Sequence, residues 1–231
     1  MAVHLSIADG VGVLTLDRPE RAHAYDRAHL LALQAGFDEL AAAAQVVVVR
    51  STGDRAFCAG ADLKELGKAA PTDALDLLSQ KVFAHIADSP AVSVAAVQGA
   101  AVAGGCELAL ACDLRVVGAK ARFALPETAL GIIPAAGGCT RLPRLVGQSI
   151  ARQVILAGEW ISAEQAVRWG LATGEVATDV QAAALELAGR VAKRSALALR
   201  LAKQVMGQDG RVDSLAAERM AEAVLYGARE R

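Results

Sequence analysis

Residues 91–117, AVSVAAVQGAAVAGGCELALACDLRVV, decide the fold. Ala91 to Val97 is an apolar run rich in Val and interrupted only by Ser93, the pattern of a strand covered on both faces of a parallel sheet. Gly99 to Gly105 breaks that run, Glu107 to Cys112 begins a helix, and Leu114 to Val117 forms another short strand. Strand, helix and strand in close succession imply an α/β core. The uncharged stretch Ser89 to Cys106 raises the question of a membrane span. It contains Pro90, Gln98, Gly99, Gly104 and Gly105 and is dominated by Ala and Val, so a buried strand, a turn and a helix start explain it better.

The pattern extends in both directions. Toward the N-terminus, Val46 to Val49 is a second buried-strand run, followed by the loop STGDRAFCAGAD and helical patterns to about Ala87. Asp26 is placed to cap a helix running to about Ala44, with Leu30, Leu33, Phe37 and Leu40 on one face. Val3 to Ile7 and Val11 to Leu16 flank Asp9-Gly10 as a β-hairpin. Toward the C-terminus, the chain turns polar and glycine-rich after Phe123. From Leu145 it reads as helices over Ser149–Leu156, Ser162–Trp169, Val180–Arg194, Ser195–Met206 and about Val212–Ala228. This predicts an α/β core with a helical C-terminal region.

Composition excludes several functions. The chain has 231 residues, 54% hydrophobic and 21% charged, the balance of a folded protein. A net charge of −1 supplies no field to recruit nucleic acid or an anionic membrane, and 3% aromatics leave few stacking platforms. Cys58, Cys106, Cys112 and Cys139 show neither CxxC spacing nor paired histidines, so no metal site is expected. They read as free thiols in a reducing compartment, with Cys106 and Cys112 as small buried hydrophobes. MAVHLSIADG carries no secretory pattern, and a cytoplasmic location is expected.

Three segments combine small residues with well-placed polar groups: Phe57 to Leu63, Val102 to Glu107, and Pro126 to Gly138. Small residues let a ligand approach the backbone closely. The unpaired N–H groups of a helix start, at the positive end of its dipole, can hold a developing oxyanion. Each segment also has a plain structural explanation. Glycine turns connect strands to helices, Glu107 in a first helical turn complements the dipole, and Glu127 after a proline suits a solvated loop. Together, two glutamates beside two backbone-donor turns supply an acid, a base and an oxyanion hole.

The order and wording of these motifs resemble the enoyl-CoA hydratase/isomerase family, the crotonase superfamily. The resemblance runs through LTLDRPERAHAYD, VVVVRSTGDRAFCAGADLKEL, SVAAVQGAAVAGGCELALACDLRVV, ARFALPETALGIIPAAGGCTRLPRLVG and ISAEQAVRWGLATGEV. It implies a crotonase-like ββα spiral core over residues 1–175 that carries the CoA and acyl site. It also implies a C-terminal helical trimerisation region over 176–231, shortened relative to members that continue past Arg231. By resemblance, the N–H groups of Ala61 and Gly104 form the oxyanion hole. Glu107 and Glu127 are the catalytic pair, and Ala24, Ala59, Asp62, Leu63 and Lys64 line the CoA site. The family binds CoA largely through backbone groups and assembles as trimers or dimers of trimers. No cofactor beyond the CoA of the substrate is implied.

The chemistry fits these parts. An α,β-unsaturated thioester is electrophilic at its β-carbon, but water is a weak nucleophile and the resulting enolate is costly. Glu107 is assigned to activating water and Glu127 to delivering the α-proton. His23 and Tyr25 stand where the family more often has Asn and Leu, and Ala103 replaces a glycine; His23 is expected to be packed or at the surface. Two other functions remain open to the sequence. One is a double-bond isomerase, which usually works with one carboxylate; the other is an idle acyl-CoA-binding or scaffold protein.

Overall fold

In a computed structural model of the chain, residues 2–62, 77–207 and 219–225 are described. Two sheets organise them. A five-stranded sheet runs β1 (Ala2–Ala8), β2 (Val11–Asp17), β3 (Val46–Ser51), β5 (Val92–Val97), β7 (Leu114–Val117). A smaller four-stranded sheet runs β4 (Ala56–Cys58), β6 (Ala100–Val102), β8 (Arg122–Ala124), β9 (Ile161–Ser162). β1–β2 and β8–β9 are antiparallel, and the other pairings are parallel.

The sequence repeats one device. In β3–β4, β5–β6 and β7–β8, the first strand joins the large sheet and the second joins the small one. A helix follows two of these pairs: α2 (Leu78–Asp88) and α3 (Gly104–Ala111). A 3₁₀ turn, Glu127–Leu130, takes that place after β8. Successive units therefore step sideways along both sheets, and their strand exits gather at one end.

The hairpin, the central strands and α1 (Arg27–Ala43) form where expected. Asp26 accepts from the His29 N–H in a reciprocal cap, and Leu30, Leu33, Phe37 and Leu40 are buried. The largest apolar cluster lies between the sheets and α1, α2 and α3, with Phe37, Phe57, Phe83 and Phe123 fully buried. The other face of the large sheet is covered by α7 (Val180–Ala192) through Val180, Ala184 and Ala188.

Several elements differ from the sequence reading. Gly99 to Gly105 is not only a break: Ala100–Val102 pairs with β4 and β8 as the middle of the small sheet. α3 starts at Gly104, three residues before Glu107, because Ala103 takes the N-cap position. Helix α4 (Gly138–Val146) begins before Leu145 and carries Pro143 inside it. α5 (Gln148–Leu156), α6 (Ala163–Arg168) and α8 (Ala196–Met206) follow the reading closely, with Ser162 and Ser195 as caps. The expected helix over 212–228 lies mostly outside the described residues; 219–225 is helical. Among the described residues, no helix is long and apolar enough to cross a membrane.

Candidate active site

The exits of β4, β6 and β8 bring the three small-residue segments together. Val102 pairs with Ala124, and the Ala103 N–H donates to the Ala124 carbonyl at 2.9 Å. The start of α3 is thereby fixed beside the start of the 3₁₀ turn. Gly60 crosses the same place: a methyl on it would lie 3.0 Å from the Gly104 nitrogen. Residues 60–61 and 103–104 thus lie against each other.

The orientation of the candidate donors follows from pairing rules. Tyr25 and Ala61 form a parallel bridge, in which Tyr25 donates to the Gly60 carbonyl at 2.9 Å and accepts from the Asp62 N–H at 2.7 Å. Those bonds use the groups flanking Ala61, so Ala61's own N–H points away from Tyr25. Gly104 occupies the first helical position, where the N–H has no intrahelical acceptor. Ala103 reaches this geometry at φ 51° and ψ −127°, a region that disfavours a Cβ and costs about 1–3 kcal/mol.

Glu107, in the first turn of α3, is 3% exposed. Its Oε1 accepts from the Ala136 N–H at 2.7 Å and the Gly138 N–H at 2.8 Å. Burial raises its pKa, while those two N–H bonds and the charge of Arg141 pull it back. Glu127 is 6% exposed, and its Oε2 is buried without a hydrogen-bond partner among the described residues. Burial pushes Glu127 up to about 7, opposed by its own N–H and reinforced by the charge of Glu107. The two carboxyls sense each other yet are held differently: one fixed by backbone donors, the other left with an open oxygen.

Of the residues expected at the CoA site, Ala24, Ala59 and Asp62 do converge. Arg18 donates to the Ala24 carbonyl at 2.8 Å and contacts Asp62 Oδ2 at 3.5 Å. The Ala59 N–H donates to the Ala22 carbonyl at 3.0 Å. Leu63 and Lys64 lie outside the described residues. His23 is packed: Nδ1 accepts from the Arg18 N–H and Nε2 donates to the Thr52 carbonyl, which fixes a neutral tautomer, and burial lowers its pKa.

Sequence reasoning missed three residues here. Arg18 clamps the Ala24 and Asp62 segments. Tyr25, besides its backbone bridge, places its hydroxyl where a Gly104 Cβ would be, 1.8 Å from that position. Arg141 supports the loop that binds Glu107. A cation within the Asp-Arg-Pro stretch was the available signal for Arg18, Tyr25 stood out only as a departure from the family's usual Leu, and nothing local marked Arg141.

Residues 6–229 match the family model for enoyl-CoA hydratase/isomerase. The chain belongs to that family. It is 39% identical over 224 residues to the 2,3-dehydroadipyl-CoA hydratase of Escherichia coli, covering 95% of this chain and 88% of that one. It is 35% identical over 211 residues to the crotonyl-CoA hydratase of Syntrophomonas wolfei, covering 88% and 80%. Among solved structures, the enoyl-CoA hydratase of Bacillus anthracis superposes with a TM-score of 0.89 at 34% identity, covering 96% of this chain and 89% of that one. The two-sheet spiral is therefore the crotonase fold that the motifs implied.

Proposed function

We propose that this protein is an enoyl-CoA hydratase that adds water to a 2-enoyl-CoA thioester, with Glu107 and Glu127 as its base and acid. The observation that carries the reading is the pair of buried carboxyls beside a helix start. Glu107 is held by two backbone N–H groups, and Glu127 is pushed up to about 7 with Oε2 open. In this reading the Ala61 and Gly104 N–H groups bind the thioester oxygen as it gains charge. Glu107 takes a proton from water as the oxygen attacks the β-carbon, and Glu127 gives its proton to the α-carbon. One proton leaves water and one enters the product, so the pair ends with its protons exchanged and is reset through solvent.

Ala24, Ala59 and Asp62, clamped by Arg18, are the described part of the CoA site in this reading. The substrate brings its own CoA, and no further cofactor is required; prolonged dialysis against a chelator should leave turnover intact. Incubation with crotonyl-CoA tests the reading: absorbance of the conjugated enone should fall and 3-hydroxybutyryl-CoA should appear. Conversion of a 3-enoyl-CoA into a conjugated product, with crotonyl-CoA untouched, would instead identify an isomerase. Binding without conversion of either would leave an acyl-CoA-binding protein.

We also propose a homotrimer or dimer of trimers working in the cytoplasm. Support comes from α8, which has no buried residue, and from exposed Leu130, Ile133, Leu156 and Trp160. Buried free Cys58, Cys106 and Cys112 suit a reducing compartment. Light scattering should give a mass of three or six chains, and a stable monomer at micromolar concentration would contradict the assembly.

A further inference from the structure

The loop that delivers two N–H groups to Glu107 has an anchor of its own. Arg141, in the first turn of α4, sends Nη1 to the Ala136 carbonyl at 2.9 Å, and its backbone N–H donates to the Gly137 carbonyl at 2.7 Å. Between them, Gly137 has φ +119°, and a Cβ there would fall 1.9 Å from Arg141 Nη1. The guanidinium fills the space that only a glycine leaves. Ala136 and Gly138, on either side, are the two donors to Glu107 Oε1. From α2, Gln80 holds the Ala135 carbonyl at 2.6 Å, but the Ala136 carbonyl depends on Arg141.

We infer that Arg141 is a positioning residue for Glu107: it locks residues 134–138 so that Oε1 stays bound to backbone while Oε2 remains directed to the reacting water. This rests on the reading of Glu107 as the group that activates water. The charge of Arg141 adds a second effect, since it favours the ionised form that a base requires. Among the described residues, the other ionisable groups that sense Glu107 do not supply that charge. Glu127 on the 3₁₀ turn opposes it. Tyr25, Cys106 and Cys139 have raised pKa values and stay neutral near pH 7.

Arg141→Met removes both lock and charge, Arg141→Lys restores the charge alone, and Gly137→Ala displaces the guanidinium while leaving Arg141 in the chain. The Glu107 carboxyl can be followed by ¹³C NMR in the full chain without substrate, assigned by its loss in Glu107→Gln. Its titration midpoint should rise in Arg141→Met and Gly137→Ala and move back toward wild type in Arg141→Lys. With crotonyl-CoA, kcat at pH 7 should fall about tenfold in Arg141→Met and Gly137→Ala, a displacement smaller than the 1 Å misplacement that costs about 10²-fold, while KM stays within about twofold. A folded Arg141→Met protein with an unshifted midpoint and wild-type kcat would overturn the inference. Should Arg141→Met not fold, Gly137→Ala decides on the same readouts. If Glu107→Gln itself keeps wild-type turnover, the reading of Glu107 as base fails, and the NMR titration still decides whether Arg141 controls its ionisation.

Discussion

The two carboxyl groups sit on turns of opposite character. Glu107 is on the first turn of α3, entered through Ala103 in a strained conformation and gripped by the 134–138 loop. Glu127 is on a short 3₁₀ turn after Pro126, with one oxygen buried and unpaired. A carboxyl with two N–H donors keeps more of its anionic character under burial; one without them is driven toward the neutral acid. In the proposed mechanism, the same residue type in two backbone settings serves as a base and as an acid. On that proposal, rigidity on one side and an open oxygen on the other divide the labour.

The comparison breaks first at the carboxyls themselves. Glu107→Gln and Glu127→Gln should each lower crotonyl-CoA hydration by about 10²–10⁴-fold with thioester binding retained, as expected when general acid–base catalysis is lost. The double variant should be far less than multiplicatively worse, because the two act on one proton circuit. Near-wild-type turnover in either single variant would remove that residue from the mechanism.

On the α3 side, Gly104→Pro removes the N–H assigned to the thioester oxygen and should cost about 10²–10³-fold in kcat, provided circular dichroism shows a folded chain. A folded variant with wild-type kcat would show that this turn is only structural. Gly104→Ala keeps the N–H, and its methyl collides with the Tyr25 hydroxyl rather than crowding substrate. Its expected effect is on stability, a loss of about 1–3 kcal/mol in denaturant unfolding, as for overpacking. An unchanged unfolding midpoint would mean that Tyr25 moves aside freely.

The smallest effect concerns the strain. Ala103→Gly relieves a backbone cost of about 1–3 kcal/mol but loosens the unfolded chain by about 0.4–1 kcal/mol. The net expectation is a stabilisation of up to about 2.5 kcal/mol with the N–H of Gly104 still in place. A destabilised variant would show that Ala103 is held there without strain.

Much of this site was written in the local pattern. Val46–Val49 and the nearly unbroken run Ala91–Val97 announce central strands, and Asp26 was readable as a cap and Ser162 as a helix start. The small sheet was not readable. Its strands have two or three residues, too short for alternation to register, and β6 is hidden inside a glycine-rich segment. Glu107 and Glu127 stood out through their glycine-rich neighbours. Which one is gripped depends on Ala136 and Gly138 arriving from a loop about thirty positions away. Arg141 and Tyr25 act through contacts with Gly137 and Gly104 that no spacing rule encodes.

The division between base and acid is tested most directly by the pH dependence of kcat/KM for crotonyl-CoA hydration in the wild type and in Glu127→Gln. Glu107 must be ionised to take a proton from water, so activity falls as pH drops and that carboxyl protonates. Glu127 must be protonated to serve the α-carbon, and its pKa is raised to about 7, so activity falls as pH rises through that value. The wild type should give a bell whose limbs belong to the coupled pair. Glu127→Gln should retain the acidic limb and lose the alkaline one within its residual rate. An alkaline limb that persists unchanged in Glu127→Gln would contradict the assignment of Glu127 as the acid.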